Sequence, residues 1–279
     1  MSGTLTIVGT PIGNLGDLSP RAVEALEAAD FIAAEDTRVT LGLLNHFGIK
    51  KPLVSYYEHN KRGRGEQLCA RIEAGENCVL VSDAGMPAIS DPGEDLVAQC
   101  AARGIRVVAV PGPTAMATAL ALSGLPTGRF TFEGFLSMNK KSRREHLLSL
   151  RDERRTMVFY EAPHKLPATL RDLLDVLGDR RVALARELTK VHEEVIRTTL
   201  AEAAARYADG GARGEFVLVI EGAPEAAARG EAVTVEDAAA LALALAAEEN
   251  LSPSEAAKRL AAETGLRKSE IYHAMNQKG

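Results

Sequence analysis

A rhythm in the first 125 residues limits the fold of this chain more than any other feature. Five short, almost uninterrupted apolar runs, LTIVG, DFIAA, PLVSYY, NCVLVSD and IRVVAVPG, alternate with helical stretches near 20–29, 38–47, 64–75, 92–103 and 113–123. A strand that is apolar on both faces needs cover on both sides, and strands that alternate with helices build a parallel sheet clad in those helices. The expectation is an α/β domain over residues 1–125.

Three of these runs end in loops rich in glycine and proline. The first loop carries Gly9, Gly13 and Gly16, a G-x-x-x-G-x-x-G spacing. That differs from the G-x-G-x-x-G fingerprint of dinucleotide sites, and Pro11 stands where such a loop needs a close-approaching backbone. The following helix starts only at Ser19-Pro20, away from the glycines, so an NAD site is the least favoured reading. Glu35 and Asp36 lie about 20 positions downstream, the one feature that agrees with the fingerprint. The loops VSDAGMPAISDPG and VPGPTAMATALA follow two further strands. All three lie at carboxyl ends of parallel strands, where open α/β sheets bind ligands.

A second set of strands, RFTFEGF, TMVFYEA, RVALARE, EEVIRTTL and GEFVLVIEG, runs to residue 222, with helices near 142–151, 164–177 and 199–208. RVALARE and EEVIRTTL are joined by a short connector, which predicts a mixed sheet over 126–222. APEAAARGEAV, residues 223–233, has no clear period and reads as a linker. Residues 234–279 hold no strand. Ser252, Pro253 and Glu255 make a capping box, and Thr264-Gly265 breaks the helix, so this tail reads as a helix-turn-helix-like module or a helical dimerisation module.

The net charge of −5 excludes a general polyanion binder, so any nucleic-acid surface is a local patch. Aromatic residues are 4% and Trp is absent, which argues against a surface lined with base-stacking platforms. Cys69, Cys78 and Cys100 have neither zinc spacing nor an even count, and read as small core residues. The N-terminus lacks a basic region before an apolar run, and AAALALALAA is too short to span a bilayer. A cytoplasmic protein without a membrane partner is expected.

The stretches TPIGNLGDLSPRA, AEDTR, SDAGMPAISDPG, VPGPTA, YEAPHK, ARELTKVHEE and GEFVLVIEG, in this order, resemble the successive motifs of the tetrapyrrole methylase superfamily. More narrowly they resemble the ribosomal RNA small-subunit methyltransferase I family, from about residue 3 to 222. The resemblance implies two α/β domains with S-adenosylmethionine in the cleft between them, no metal, and a homodimer. It also implies 2′-O-methylation of a decoding-centre cytidine ribose in 16S rRNA, within the small ribosomal subunit. It puts Pro11, Gly13, Asp83, Gly85, Met86, Thr114 and Ala115 at cofactor-contacting positions, with Tyr160 and Glu161 shaping the cleft from the second domain and Tyr160 at the cofactor.

A ribose hydroxyl is a weak acid and needs a proton acceptor. Glu35, Asp36, Glu187 and Lys190 follow strands and face the expected cleft; Lys190 would serve if burial lowered its pKa. RNA requires local positive charge. Residues 139–155 carry seven Lys/Arg against three Asp/Glu, including Lys140, Lys141, Arg143 and Arg144. Lys61, Arg62 and Arg64 sit among glycines in a stretch expected to be a mobile loop, and Arg38 either binds phosphate or pairs with Asp36. Two rival readings use the same cleft. A tetrapyrrole C-methyltransferase would need neither NKKSRRE nor the helical tail, and a ligand-sensing regulator would need a more basic recognition helix than RKSEIYHAM.

Overall fold

The computed structural model describes residues 2–224, 234–249, 251–264 and 266–278. The chain divides into two compact units, residues 1–222 and 223–279. The first unit opens with β1 (Thr4–Val8), β2 (Phe31–Ala34), β3 (Leu53–Ser55), β4 (Cys78–Val81) and β5 (Arg106–Val110), all parallel, in the order β3-β2-β4-β1-β5. Between and after them run α1 (Pro20–Ala28), α2 (Thr37–His46), α3 (Lys61–Glu73), α4 (Gly93–Ala102) and α5 (Ala115–Ser123).

That strand order fixes where a ligand can enter. The chain steps in one direction from β1 to β3, then turns back through β4 to β5. Right-handed crossovers therefore place α1 and α2 on one face and α3 and α4 on the other. The cores agree: Leu26 of α1 and Leu44 of α2 pack with Val8 and Ile32, while Leu68 of α3 and Leu96 of α4 pack with Leu5 and Phe31. The helices after β1 and β4 diverge to opposite faces, which opens a crevice at the carboxyl ends of these neighbouring strands.

The second sheet holds β6 (Phe130–Phe135), β7 (Thr156–Glu161), β8 (Arg181–Arg186), β9 (Glu194–Thr199) and β10 (Phe216–Ile220) in the order β6-β7-β10-β8-β9. Only β6 and β7 pair in parallel; the remaining ladders are antiparallel, so the sheet is mixed as expected. One face is covered by α6 (Lys140–Ser149), α7 (Leu166–Leu177) and α8 (Leu200–Arg206) through Leu147, Leu170, Leu173 and Ala203. The other face receives Ala119 and Leu120 of α5, with Ile12 and Ala115 beside them. Thus α5, which leaves the first sheet, is packed on the second and ties the two together.

The second unit is a bundle of α9 (Val235–Glu249), α10 (Pro253–Thr264) and α11 (Lys268–Lys278). Ala238, Ala242, Ala256, Ala257, Leu260, Ile271 and Met275 form its core. The capping box is present: Glu255 N donates to Ser252 Oγ at 3.3 Å, and Ser252 N donates to Glu255 Oε2 at 3.1 Å. Residues 225–233 of the expected linker, and Gly265 of the expected break, lie outside the described residues.

The stretch 59–65 is not the loop that its glycines suggested. Lys61, Arg62 and Arg64 form the opening turns of α3. The turn before it is tied by Asn60, whose side chain donates to Ser55 O (3.1 Å) and accepts from Tyr57 N (2.9 Å). Among the described residues no helix is long and apolar enough to cross a membrane.

Candidate active site

The crevice at the β1/β4 switch is held by main chain. Thr10 N donates to Gly85 O (2.9 Å) and Gly85 N returns a bond to Thr10 O (3.1 Å). On its other side the β1 loop meets the loop after β5: a Cβ on Gly112 would stand 2.8 Å from Gly9 O, and one on Gly9 would stand 2.7 Å from Gly112 Cα. No residue with a side chain fits either place without moving a backbone. Helix caps finish these loops: Ser19 accepts from Ala22 N at 3.2 Å, Asp36 from Arg38 N at 2.8 Å and Thr114 from Ala117 N at 3.2 Å. Each such cap stabilises by about 1 kcal/mol and satisfies an otherwise orphan N–H. The loop after β4 is strained, with Ala88 at φ 66° and Ser90 at φ 63°. Asp91 holds it by accepting from Ala88 N (3.0 Å) and Gly93 N (2.7 Å).

Between these loops and the edge of the second sheet lies a cleft of about 440 Å³. The first sheet contributes Ile12, Glu35, Asp83, Gly85, Met86, Thr114 and Ala115. The second contributes Phe135, Tyr160, Glu187, Lys190, Glu215 and Val217. Gly13 lets the two approach, since a Cβ there would fall 2.5 Å from Lys190 Cγ and 2.8 Å from Leu188 O. The sequence-expected positions Glu35, Asp83, Gly85, Met86, Thr114, Ala115, Tyr160, Glu187 and Lys190 therefore meet on one cleft. Pro11 and Gly13 flank Ile12 in the first loop without themselves lining it.

The adjacent acids of AEDTR part company. Glu35 lines the cleft, and burial, followed by the charges of Asp83 and Asp91, raises its pKa above the usual glutamate value. Asp36 is turned to solvent, where Arg38 holds it down to about 2. It caps α2 and pairs with Arg38 at 2.6 Å. Its backbone still serves the site, since Asp36 N donates to Asp83 Oδ1 at 2.9 Å. Neither Asp36 as a base nor Arg38 as an open phosphate ligand fits this pairing.

Lys190 contradicts the condition set for it. Its Nζ lies 2.9 Å from Glu187 Oε1 and 3.7 Å from Glu215 Oε2, and the bond to Glu187 raises its pKa. It is a fixed cation rather than a neutral base. Glu187 is lowered by the same bond and also accepts from Glu215 N at 3.3 Å. Glu187 and Thr189 both have positive φ, 51° and 65°, so this connector carries backbone strain beside the cleft.

Tyr160 accepts a hydrogen bond from Met116 N at 3.2 Å, and so completes the start of α5. Burial raises its pKa. Glu161 accepts from Thr169 Oγ1 (2.5 Å) and Ala162 N (2.8 Å), which gives it a structural part.

Among the basic candidates, Arg143 donates to Asp172 Oδ2 at 2.6 Å and to Ser137 O at 3.3 Å, with its side chain 15% exposed. It anchors α6 to α7. Lys61 lies 2.9 Å from Glu58 and 3.5 Å from Asp95, and Arg64 donates to Gln67. Lys141 reaches Glu145 only at 3.9 Å, and Lys140 and Arg144 are exposed on α6.

Residues that motif spacing missed are Ile12, Ile89, Ser90, Phe135, Glu215 and Val217. Phe135 ends β6 and Glu215 precedes β10, two strands that flank β7 and reach one cleft only through the order of the second sheet. The charge of the lining is its most selective feature: Glu35, Asp83, Asp91, Glu161, Glu187 and Glu215 against Lys190. Such a cleft repels a pyrophosphate and attracts a cation, which removes the dinucleotide reading. It fits a sulfonium with an amino group, and Asp83 Oδ2, outside the Asp36 bond, is an acceptor for one.

Paired α/β sheets of this type, with a cleft between strand ends of both, define a class of methylases. The chain matches the family described as Tetrapyrrole (Corrin/Porphyrin) Methylases over residues 4–204 and belongs to it. Solved structures of similar fold include cobalt precorrin-4 methyltransferase (TM-score 0.59, 16% identity, covering 78% of this chain and 94% of that one). Another is uroporphyrin-III C-methyltransferase of Thermus thermophilus complexed with S-adenosyl homocysteine (TM-score 0.56, 20% identity, 78% and 97%).

Curated relatives narrow the family. Ribosomal RNA small subunit methyltransferase I of Synechocystis is 49% identical, covering 97% of this chain and 96% of the relative. That of Escherichia coli O157:H7 is 46% identical, over 99% and 96%. The Thermotoga maritima protein of the same name is 48% identical over 220 residues, 79% of this chain and 99% of the relative. Within the methylases, the chain belongs to the ribosomal RNA small subunit methyltransferase I family.

Proposed function

We propose that the protein transfers a methyl group from S-adenosylmethionine to the 2′-oxygen of a decoding-centre cytidine of 16S rRNA, within the small ribosomal subunit. It would do so as a cytoplasmic homodimer. The reading is carried by the placement of one carboxylate of raised basicity, Glu35, and one fixed cation, Lys190, on the same acidic cleft.

When bound, S-adenosylmethionine supplies an electrophilic methyl group on a sulfonium. Pro11, Gly13, Gly85, Met86, Thr114 and Ala115 offer it main-chain groups and apolar contact, Asp83 an acceptor, and Tyr160 a wall. Glu35 accepts the proton of the ribose hydroxyl, a task for which a carboxylate of raised pKa is better matched than an ordinary one. Lys190, held by Glu187, donates to the oxygen as its charge develops. Correct placement of donor and acceptor by these rigid loops is worth roughly 7–11 kcal/mol of the barrier. Ile12, Met86 and Val217 exclude water from the reacting atoms.

The experiment is methyl transfer from labelled S-adenosylmethionine to small subunits isolated from cells lacking this protein. Naked 16S rRNA and a tetrapyrrole precursor are run beside them. Label on one ribose that blocks alkaline cleavage there supports the reading. Label on the tetrapyrrole alone, or on an RNA base, overturns it.

A further inference from the structure

The β6 strand carries a bulge whose effect is to turn one phenylalanine into the cleft. Phe132 and Phe135 are three residues apart, so a regular strand would send them to opposite faces. The register against β7 shifts between Phe132 and Gly134, leaving Glu133 as the extra residue, with Gly134 at φ 62°. Both rings consequently reach Tyr160, with centroids at 5.0 Å for Phe132 and 5.4 Å for Phe135. The bulge is latched in place. Glu133 Oε2 lies 2.9 Å from His146 Nε2 on α6, and α6 is bound to α7 through Arg143 and Asp172. Bulges beside active sites commonly re-aim a side chain in this way.

Three aromatic residues line the cleft. Phe216 is buried, Tyr160 is half-buried with its hydroxyl engaged by Met116, and Phe135 is 56% exposed. An exposed aromatic ring on a cleft wall is unspent binding surface. The chemistry of its occupant follows from two charge distributions. The lining holds six carboxylates and one lysine, so it disfavours phosphates. The chain immediately after Phe135 holds Lys140, Lys141 and Arg144 at exposed positions on α6. A polyanionic strand would be drawn along α6, with its sugar hydroxyl reaching toward the acid cleft. The base on that sugar must then lie against the wall between the two.

We infer that Phe135 is the platform on which the nucleobase of the methylated nucleotide stacks, with α6 holding the neighbouring phosphates. This rests on the proposed RNA reading and names how that same site grips its substrate. The low aromatic content argues against a surface of many platforms, and the cleft lining provides one exposed ring.

The test compares wild type, Phe135→Ala and Phe135→Tyr on small subunits lacking the modification, with S-adenosylhomocysteine binding measured by calorimetry. Stacking of one base converts to about 5- to 150-fold in kcat/KM. Phe135→Ala is expected to lose that much, chiefly through KM, with S-adenosylhomocysteine affinity changed less than twofold and Phe135→Tyr restoring most of the loss. Because the chain has no Trp, Phe135→Trp adds a single reporter. Its fluorescence is expected to be quenched by an oligoribonucleotide containing the methylated position, and not by the same strand abasic there. Unchanged kcat/KM in Phe135→Ala overturns the inference, as does a parallel loss of S-adenosylhomocysteine affinity, which would place the ring on the cofactor. A wild-type protein that labels no RNA refutes the function itself, and is seen before any variant is read.

Discussion

The acidic floor of the cleft and the start of α6, which follows the cleft-lining Phe135 in the chain, carry opposite charge. The floor gathers six acids around Lys190, whereas residues 140–145 bring four cations and one acid to the start of α6. A chain of net charge −5 can serve a polyanion because the two are separated. The floor suits a cation and a neutral hydroxyl, and α6 suits phosphates. Changes to the floor should therefore alter chemistry and cofactor binding, and changes to α6 should alter substrate affinity and its response to salt.

The largest effect is expected on the floor. Glu35→Gln should lower kcat by about 10²–10⁴-fold, the range for loss of a positioned general base, with S-adenosylhomocysteine affinity little changed. The pH dependence follows from the direction of its shift. Glu35 keeps its proton to a higher pH than an ordinary glutamate, so the base form is lost as pH falls through that raised value. The wild-type kcat profile should show an acid limb above 4.5, the ordinary glutamate value, and Glu35→Gln should lack it.

Next, Lys190→Met removes a charged donor, worth about 1.5–3 kcal/mol, so kcat/KM should fall roughly 10- to 150-fold. Equal loss of S-adenosylhomocysteine affinity would move Lys190 from the acceptor to the cofactor. Gly112→Ala tests the backbone contact beneath the floor. Overpacking against Gly9 O should cost about 1–3 kcal/mol, read as a fall of several degrees in Tm with weakened S-adenosylhomocysteine binding.

On α6, the double variant Lys140→Ala, Arg144→Ala should raise KM for RNA and reduce the slope of log KM against log salt by about 1–2. Arg143→Ala sharpens the contrast within the same run. It should lower Tm through loss of the Asp172 bond while leaving the salt slope intact; a changed slope would return Arg143 to the RNA surface.

The smallest effect is expected at Asp36, which is exposed and belongs to neither region. Its pKa is lowered from 3.8 to about 2, so the stabilisation from Arg38 and the α2 cap is present above 3.8 and lost as pH falls through about 2. Asp36→Ala should reduce Tm slightly at pH 7, and the difference should shrink as pH falls from 3.8 through about 2.

Much of this was legible in the chain. The alternation of apolar runs with helices announced a parallel sheet, and the three glycine- and proline-rich loops meet at the ends of β1, β4 and β5. RVALARE and EEVIRTTL do pair as the antiparallel edge of a mixed sheet. The Ser252–Glu255 capping box is in place. The roles of AEDTR and ELTK were less legible, because pattern places a side chain at a strand end without saying which charge it will meet. Glu35 and Asp36 are neighbours with opposite shifts, and Lys190 is raised rather than lowered. HNKRGRG misled because a helix begins at Lys61 after a turn that Asn60 ties to Ser55 and Tyr57, which its glycines do not signal.

By itself the sequence determined what depends on neighbours along the chain: strand period, loop chemistry, helix caps, and motifs that carry family membership. Tertiary structure decided what depends on distance across it. The order β3-β2-β4-β1-β5 opened the crevice, Gly13 admitted Lys190 to it, and the β6 bulge turned Phe135 inward. Burial and pair distances set the direction in which the pKa values of Glu35 and Lys190 shift. These are sums over contacts between residues far apart in sequence, and no local pattern encodes them.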